Sequence, residues 1–301
     1  MINLVKRLLR AMPSFKEAFV NKVQECVSER IISDTRLAAK FYPYQPDQNC
    51  YLLGAPEEQK GGSGLPIPPS ELWWGYTDSQ KEYLEIGQKN VAAMRSTLDA
   101  AGVSLEPGNR ILDFGCASGI MLRWLLDVAK VGEVWGVDIS ERHMYWCQQY
   151  LSPPFLFATT TSFPHLPFED CYFDLVYAGS VFTHIADLTE TWLLELKRVI
   201  RKGGRLYLTV HDEHTVDLVM RENSPWQAFR EMLLAADKEI HCLANGFSMF
   251  TVNRTPGAGV AGEAQVFYHT NHLRKHWGRF LKLISITPEA YGFQTAVLLE
   301  K

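Results

Sequence analysis

From Arg110 onward the chain alternates short apolar runs with longer amphipathic ones. RILDF, EVWGVDI, FLFAT, YFDLVYAG and GGRLYLTVH read as strands. Between them SGIMLRWLLDVAK, SERHMYWCQQYL and DLTETWLLELKRVI read as helices. Strands separated by helical segments need crossover connections. That pairs them in parallel and predicts an α/β, doubly wound sheet. After His211 the rhythm breaks for roughly 65 residues. That stretch offers a helix near 224–241 and two β-like pieces, GFSMFTV and AQVFYH, joined by TPGAGVAGE. FLKLISI and FQTAVLLEK then close the chain as two further strands. Upstream, Thr77 or Asp78 is the expected cap of a helix running to about Ala101, with Tyr83, Leu84, Val91, Met94 and Leu98 as its apolar stripe and Gly102 as its stop. Residues 1–40 read as helical, and 41–75, rich in proline and glycine, as irregular.

Composition narrows the function classes. Hydrophobic residues make up 47% of the 301, enough for a sizeable core. A net charge of -4 supplies no positive field for phosphates and argues against a nucleic-acid partner. The six cysteines include no C-x-x-C pair, which predicts reduced thiols in a cytoplasmic protein and no metal site. No apolar run approaches the roughly 20 residues of a membrane span. MINLVKRLLRAMPSF is expected to be an amphipathic helix docked on its own domain.

The residues that follow the first strand carry the chemistry. In an open parallel sheet, ligands bind beyond the carboxyl ends of the strands. ILDFGCASG lies at such an end. Gly115 allows a sharp turn and Gly119 opens the next helix, so a ligand can lie against bare backbone. A dinucleotide would need the third glycine of G-x-G-x-x-G, which is missing. Asp113 would also repel a phosphate, whereas an ammonium or sulfonium group would be attracted to it.

With these residues the chain resembles the class I S-adenosylmethionine-dependent methyltransferases. ILDFGCASG matches the family's first motif with one departure, Ala117 in place of a glycine. Asp138 in VWGVDIS stands where the family has the acid that ends the second strand. LPFEDCYFDLVYAGSVFTHI and LKRVIRKGGRLYLTV resemble the later motifs, in order. The resemblance implies a Rossmann-like sheet of seven strands, the last antiparallel. It places an N-terminal helical and irregular cap at 1–76 and a methyltransferase domain at 77–301. Residues 212–276 become a substrate-covering insertion between strands 5 and 6. S-adenosyl-L-methionine is the implied cofactor. Asp113, Gly115, Cys116, Ala117 and Gly119 would form its cradle, with Asp138 on the ribose. Ile139, Thr161 and Ser162 would sit near the adenine, and Ala178, Gly179 and Ser180 would complete the site. An aspartate common after the third strand is replaced here by ATTTSFPHLPF.

Methyl transfer to a hydroxyl needs a base, and histidine suits that role near neutrality. His184 and His211 follow the fourth and fifth strands at the ligand edge and are the catalytic candidates. Trp73, Trp74 and Tyr76 crowd one stretch that reads first as a hydrophobic plug and alternatively as an aromatic wall, and Trp74, Tyr76, Tyr268 and His269 are the candidates for contacting substrate. The expected function is methyl transfer to a small-molecule acceptor, first a hydroxyl of a sugar or natural product. A small amine as acceptor, or a non-catalytic S-adenosylmethionine-binding protein, are the alternatives. A homodimer is one option for the oligomeric state.

Overall fold

RILDF forms β1 (Arg110–Phe114), exposed at Arg110 and buried along the rest. The computed structural model describes residues 22, 64–73, 77–185, 188–235, 247–251 and 264–301. β2 (Glu133–Asp138) and β4 (Phe173–Ala178) flank β1, both parallel to it. β3 (Leu156–Thr159) runs parallel to β2, and β5 (Ile200–Asp212) parallel to β4. β9 (Gln294–Glu300) is antiparallel to β5, and β8 (Lys282–Tyr291) is antiparallel to β9. The order β3-β2-β1-β4-β5-β9-β8 is a seven-stranded core in which the last strand runs against the others.

The insertion extends this sheet. β5 exceeds GGRLYLTVH by Ile200–Lys202 at its start, where Ile200 pairs with Phe173, and by Asp212 at its end, where it pairs in parallel with β7 (Ala264–Tyr268), His211 opposite Phe267. β6 (Phe247–Thr251) pairs antiparallel with β7, so the described sheet has nine strands.

Helices cover both faces because side chains alternate along each strand. On one face Ile111, Leu175, Tyr177, Tyr207 and Leu298 meet α1 (Gln80–Ala100) and α3 (Glu141–Tyr150). On the other, Leu112, Phe114, Val176, Leu206 and Leu208 meet α4 (Thr189–Val199) and α7 (Thr270–His276). Each fully buried aliphatic side chain here stabilises the fold by about 1.5–3 kcal/mol. Two further helices, α5 (Glu213–Val219) and α6 (Gln227–Ala235), belong to the insertion. No helix among the described residues is long and apolar enough to cross a membrane.

Two local expectations are corrected. The cap of α1 is Ser79, whose Oγ accepts from the Glu82 amide at 3.4 Å; Thr77 instead bonds the Glu82 carboxylate. SGIMLRWLLDVAK is not one regular helix but a 3-10 turn (Leu122–Leu125) leading into the short α2 (Leu126–Ala129). A Cβ on Gly87 of α1 would lie 2.0 Å from the Ile120 carbonyl oxygen, so that oxygen faces α1. The Trp124 amide bonds Met121 one residue further on, at 3.0 Å, and the turn tightens.

Candidate active site

The loop after β1 turns at once. Gly115 and Cys116 both donate their amides to the Val137 carbonyl of β2, at 2.8 and 3.1 Å, and Gly119 closes back on Cys116. Gly115 has φ +80°, and a Cβ there would lie 2.4 Å from Val181 Cγ2. Glycine is therefore required twice over, by backbone and by space. Ala117, where the motif has glycine, sits at φ 45°. The departure thus puts strain into the backbone, about 1 kcal/mol for a left-handed residue with a Cβ.

Two carboxylates lie under this loop. Asp138, at the carboxyl end of β2, accepts from the Ala117 amide and the Ser140 amide, both at 2.8 Å. Asp113 accepts from the Tyr177 hydroxyl at 2.8 Å, because the β1/β4 register puts the two residues side by side. Burial pushes the Asp113 carboxyl up to about 8, against the Tyr177 bond, and the nearby Asp138 adds to the rise. Burial also raises Asp138, against its backbone bonds. Neither carboxylate is in an ion pair among the described residues. Two buried acids without a cation, beside a loop of nearly bare backbone, fit a positively charged ligand such as S-adenosylmethionine and not a phosphate. No cluster of three or more histidine, cysteine or acidic side chains that could hold a metal occurs among the described residues.

Farther along the rim, the ends of β4, β5 and β9 are tied together. Thr209 Oγ1 donates to Gln294 Oε1 at 2.7 Å and accepts from the Ser180 amide at the same distance, while Gln294 Nε2 donates to Ser180 Oγ at 2.8 Å. Ser180 is held at φ 57°, and Gly179 leaves room for the Tyr291 ring and the Met121 sulfur. Ala178 is core.

His184 follows in the turn after β4, half-buried, its amide on the Val181 carbonyl. His211, only 2% exposed, is sandwiched by Phe267 and Phe293, with ring centroids 4.9 and 5.5 Å away, and Phe229 packs on it at 5.1 Å. Its Nε2 meets Gln265 Oε1 at 3.1 Å. As an amide oxygen can only accept, the proton belongs on Nε2, leaving Nδ1 as a bare lone pair. That Nδ1 is buried and bonded to nothing described. Burial, with His184 nearby, pushes the imidazole down to about 3, so it is neutral at physiological pH.

The other expected residues are less uniform. Ile139, Thr161 and Ser162 lie half-buried beyond β2 and β3, and Thr161 Oγ1 accepts from the Phe163 amide. Cys116 is buried with its thiol pushed up by burial. Trp73 plugs the core against Tyr83, while Trp74 and Tyr76 lie outside the described residues. Tyr268 is not on an open wall: it is 1% exposed, packed edge-on to Trp277. His269 caps α7, its Nδ1 accepting from the Asn271 amide at 3.1 Å. The sequence does not single out Tyr177, Ser118, Thr209, Gln265 or Gln294, which hold the candidates in place, and it offers Tyr83 only as an apolar stripe residue, whereas its hydroxyl meets Ser118. Ser140 alone had a local signal, as the cap in SERHMYW.

A family profile described as "Methyltransferase domain" matches residues 112–208. That stretch, less than half of the chain, thus resembles a methyltransferase domain. The domain is 36% identical over 126 residues to a tRNA U34 carboxymethyltransferase of Pseudomonas fluorescens, 39% of this chain and 38% of the relative. The chain thus spans under two fifths of that relative's length. A sarcosine/dimethylglycine N-methyltransferase of Halorhodospira halochloris is 26% identical over 209 residues, 68% of each chain. Among solved structures, magnesium protoporphyrin IX methyltransferase from Synechocystis, with bound SAH, has 18% identity and a TM-score of 0.46 over 75% of this chain and 89% of that one.

Proposed function

We propose that this protein is a cytoplasmic methyltransferase that moves a methyl group to a small-molecule acceptor, a hydroxyl of a sugar or natural product. The observation that carries the reading is the pair of buried carboxylates, Asp113 and Asp138, with no described cation beside them. Asp138 accepts two backbone bonds yet keeps lone pairs for ribose hydroxyls. Asp113, protonated in the empty site, would ionise as the cationic amino-acid end binds beside it. Bound S-adenosylmethionine supplies an activated methyl group on a cationic sulfur. His184 would take the acceptor hydroxyl's proton as its oxygen bonds the methyl carbon and the bond from that carbon to sulfur breaks, leaving neutral S-adenosylhomocysteine. His211 stays neutral, so a proton arriving on His184 meets no second positive charge. The insertion contributes Phe229, Gln265 and Phe267 around His211 and thereby shapes the acceptor end.

The net charge of -4 supports a small acceptor over tRNA. An amine acceptor is the second reading. It is favoured by the resemblance to the sarcosine/dimethylglycine enzyme over 68% of both chains. A neutral amine attacks before it loses a proton, so His184 would be dispensable there. Release of S-adenosylhomocysteine from paired hydroxyl and amine acceptor panels tests the assignment. Turnover only with hydroxyl compounds supports it, and turnover only with amines replaces it. Release with neither class, despite cofactor binding, favours a binding protein.

A further inference from the structure

His143 and Ser140 complete a ring of hydrogen bonds that neither the motifs nor the family match assigns. His143 lies on α3, buried beside the cofactor loop. Its Nε2 meets the Leu72 carbonyl at 3.3 Å, and its Nδ1 meets Ser140 Oγ at 2.6 Å. A carbonyl can only accept, so Nε2 carries the proton and Nδ1 accepts from the Ser140 hydroxyl. Burial holds this imidazole down to about 4, which keeps it in the neutral form that both bonds require. From Ser140 the ring continues through its amide to Asp138 Oδ1, and Asp138 Oδ2 accepts from the Ala117 amide. The next residue, Ser118, donates its hydroxyl to the same Leu72 carbonyl at 2.7 Å. Tyr83 OH lies 2.9 Å from that Ser118 oxygen.

Leu72 belongs to the segment 64–73, which lies over this face of the domain. Arg123 Nη2 holds its start, donating to the Leu65 and Pro66 carbonyls at 2.9 and 2.7 Å, and Trp73 Nε1 donates to Pro68 at 2.8 Å. The segment is therefore fixed at two points, Arg123 at one end and the Ser118/His143 fork at the other. The fork is connected to the carboxylate read as the ribose ligand through Ser140, which bonds His143, and through Ala117, the neighbour of Ser118.

We propose that His143 is a positioning residue: acting through Ser140, it locks segment 64–73 to the Asp138 carboxylate and so sets the affinity of the site for its cofactor. The proposal rests on the methyltransferase reading, because it gives Asp138 a cofactor to hold. It predicts a distinctive mutational pattern. His143→Gln can still donate to Leu72 and accept from Ser140 with one amide, whereas His143→Leu fills the space and does neither.

The test pairs S-adenosylhomocysteine calorimetry with hydrogen exchange at the Leu72 and Trp73 amides, which bond the Pro69 and Ser70 carbonyls. His143→Leu should weaken binding about tenfold and speed exchange at both amides, the cost of one or two buried hydrogen bonds. His143→Gln should stay within about threefold of wild type in both readouts, the smaller penalty expected where the bonds are kept. Should His143→Leu fail to fold, Ser140→Ala removes the hydroxyl but keeps the amide bond to Asp138, and should weaken binding in the same direction. Wild-type affinity and exchange in His143→Leu would overturn the proposal. So would equal losses in the Leu and Gln variants, which would make the role one of packing. If wild-type protein does not bind the compound at all, the functional reading fails. The exchange comparison still decides whether the ring holds the segment.

Discussion

The rim of the sheet has two halves that handle charge in opposite ways. At β1 and β2, two buried carboxyls are held by a tyrosine hydroxyl and backbone amides, with no described cation. At β4 and β5, His184 lies in the turn after β4 and His211 stands among phenylalanines, its Nε2 on the neutral amide of Gln265. The first half is short of positive charge, and in the second burial holds His211 neutral. Under the proposed function, the first would take the cationic methyl donor and the second a neutral, partly apolar acceptor. The division of labour follows from burial: the low-dielectric surroundings raise acids and lower imidazoles.

The comparison can be broken most severely at its acceptor half. His184→Ala should bind S-adenosylmethionine normally but lose roughly 10²-fold or more in turnover, followed as S-adenosylhomocysteine release from a hydroxyl acceptor. Unchanged turnover would remove the base from this half. On the donor side, Gly115→Ala places a Cβ 2.4 Å from Val181 Cγ2 at φ +80°. Denaturant unfolding should show a loss of about 2–3 kcal/mol, from strain and overpacking together. Adding Val181→Ala should recover the packing part and leave the strain.

The two halves should also titrate in opposite directions. Asp113 keeps its proton to about 8 when folded, far above its unfolded value of 3.8. The folded state holds the extra proton in between, so stability without cofactor falls as pH rises from about 4 to 8. Affinity for a cationic donor should rise over the upper part of that window, since binding favours the ionised carboxyl. His211 falls from 6.5 to about 3 on folding. Its contribution is complete above 6.5 and is lost as pH drops toward 3. Melting temperatures across pH should therefore show an alkaline slope that Asp113→Asn removes and an acid slope that His211→Phe removes. Crossed effects would contradict the assignment of charge to the halves. The smallest effect is expected from Ala117→Gly, which relieves the left-handed alanine and should stabilise by under about 1 kcal/mol.

The two halves differed equally in how far the sequence disclosed them. The donor half is local. A strand, a turn and a helix start within a few residues of Asp113, and Asp138 ends the next strand, so pattern and spacing suffice. The acceptor half is assembled from a distance. His211 meets Gln265, Phe267 and Phe293 only because the end of β5 pairs with β7 and because β9 folds back beside it. Nothing near His211 in the chain announces those neighbours. Tyr268 shows the same limit. Its position beside His269 suggested a pocket wall, but the strand's alternation turns it into the core against Trp277. The tightened turn at Leu122–Leu125 arises from the approach of Gly87, 35 residues upstream of Leu122.

Calorimetric titration of S-adenosylmethionine into wild-type protein and Asp138→Ala bears most directly on the donor half. One site per chain in the wild type, weakened by about 1–3 kcal/mol in the variant, is the predicted result for loss of a charged hydrogen-bond acceptor. No binding to the wild type, or equal affinity in both proteins, would contradict the claim that this carboxylate grips the methyl donor.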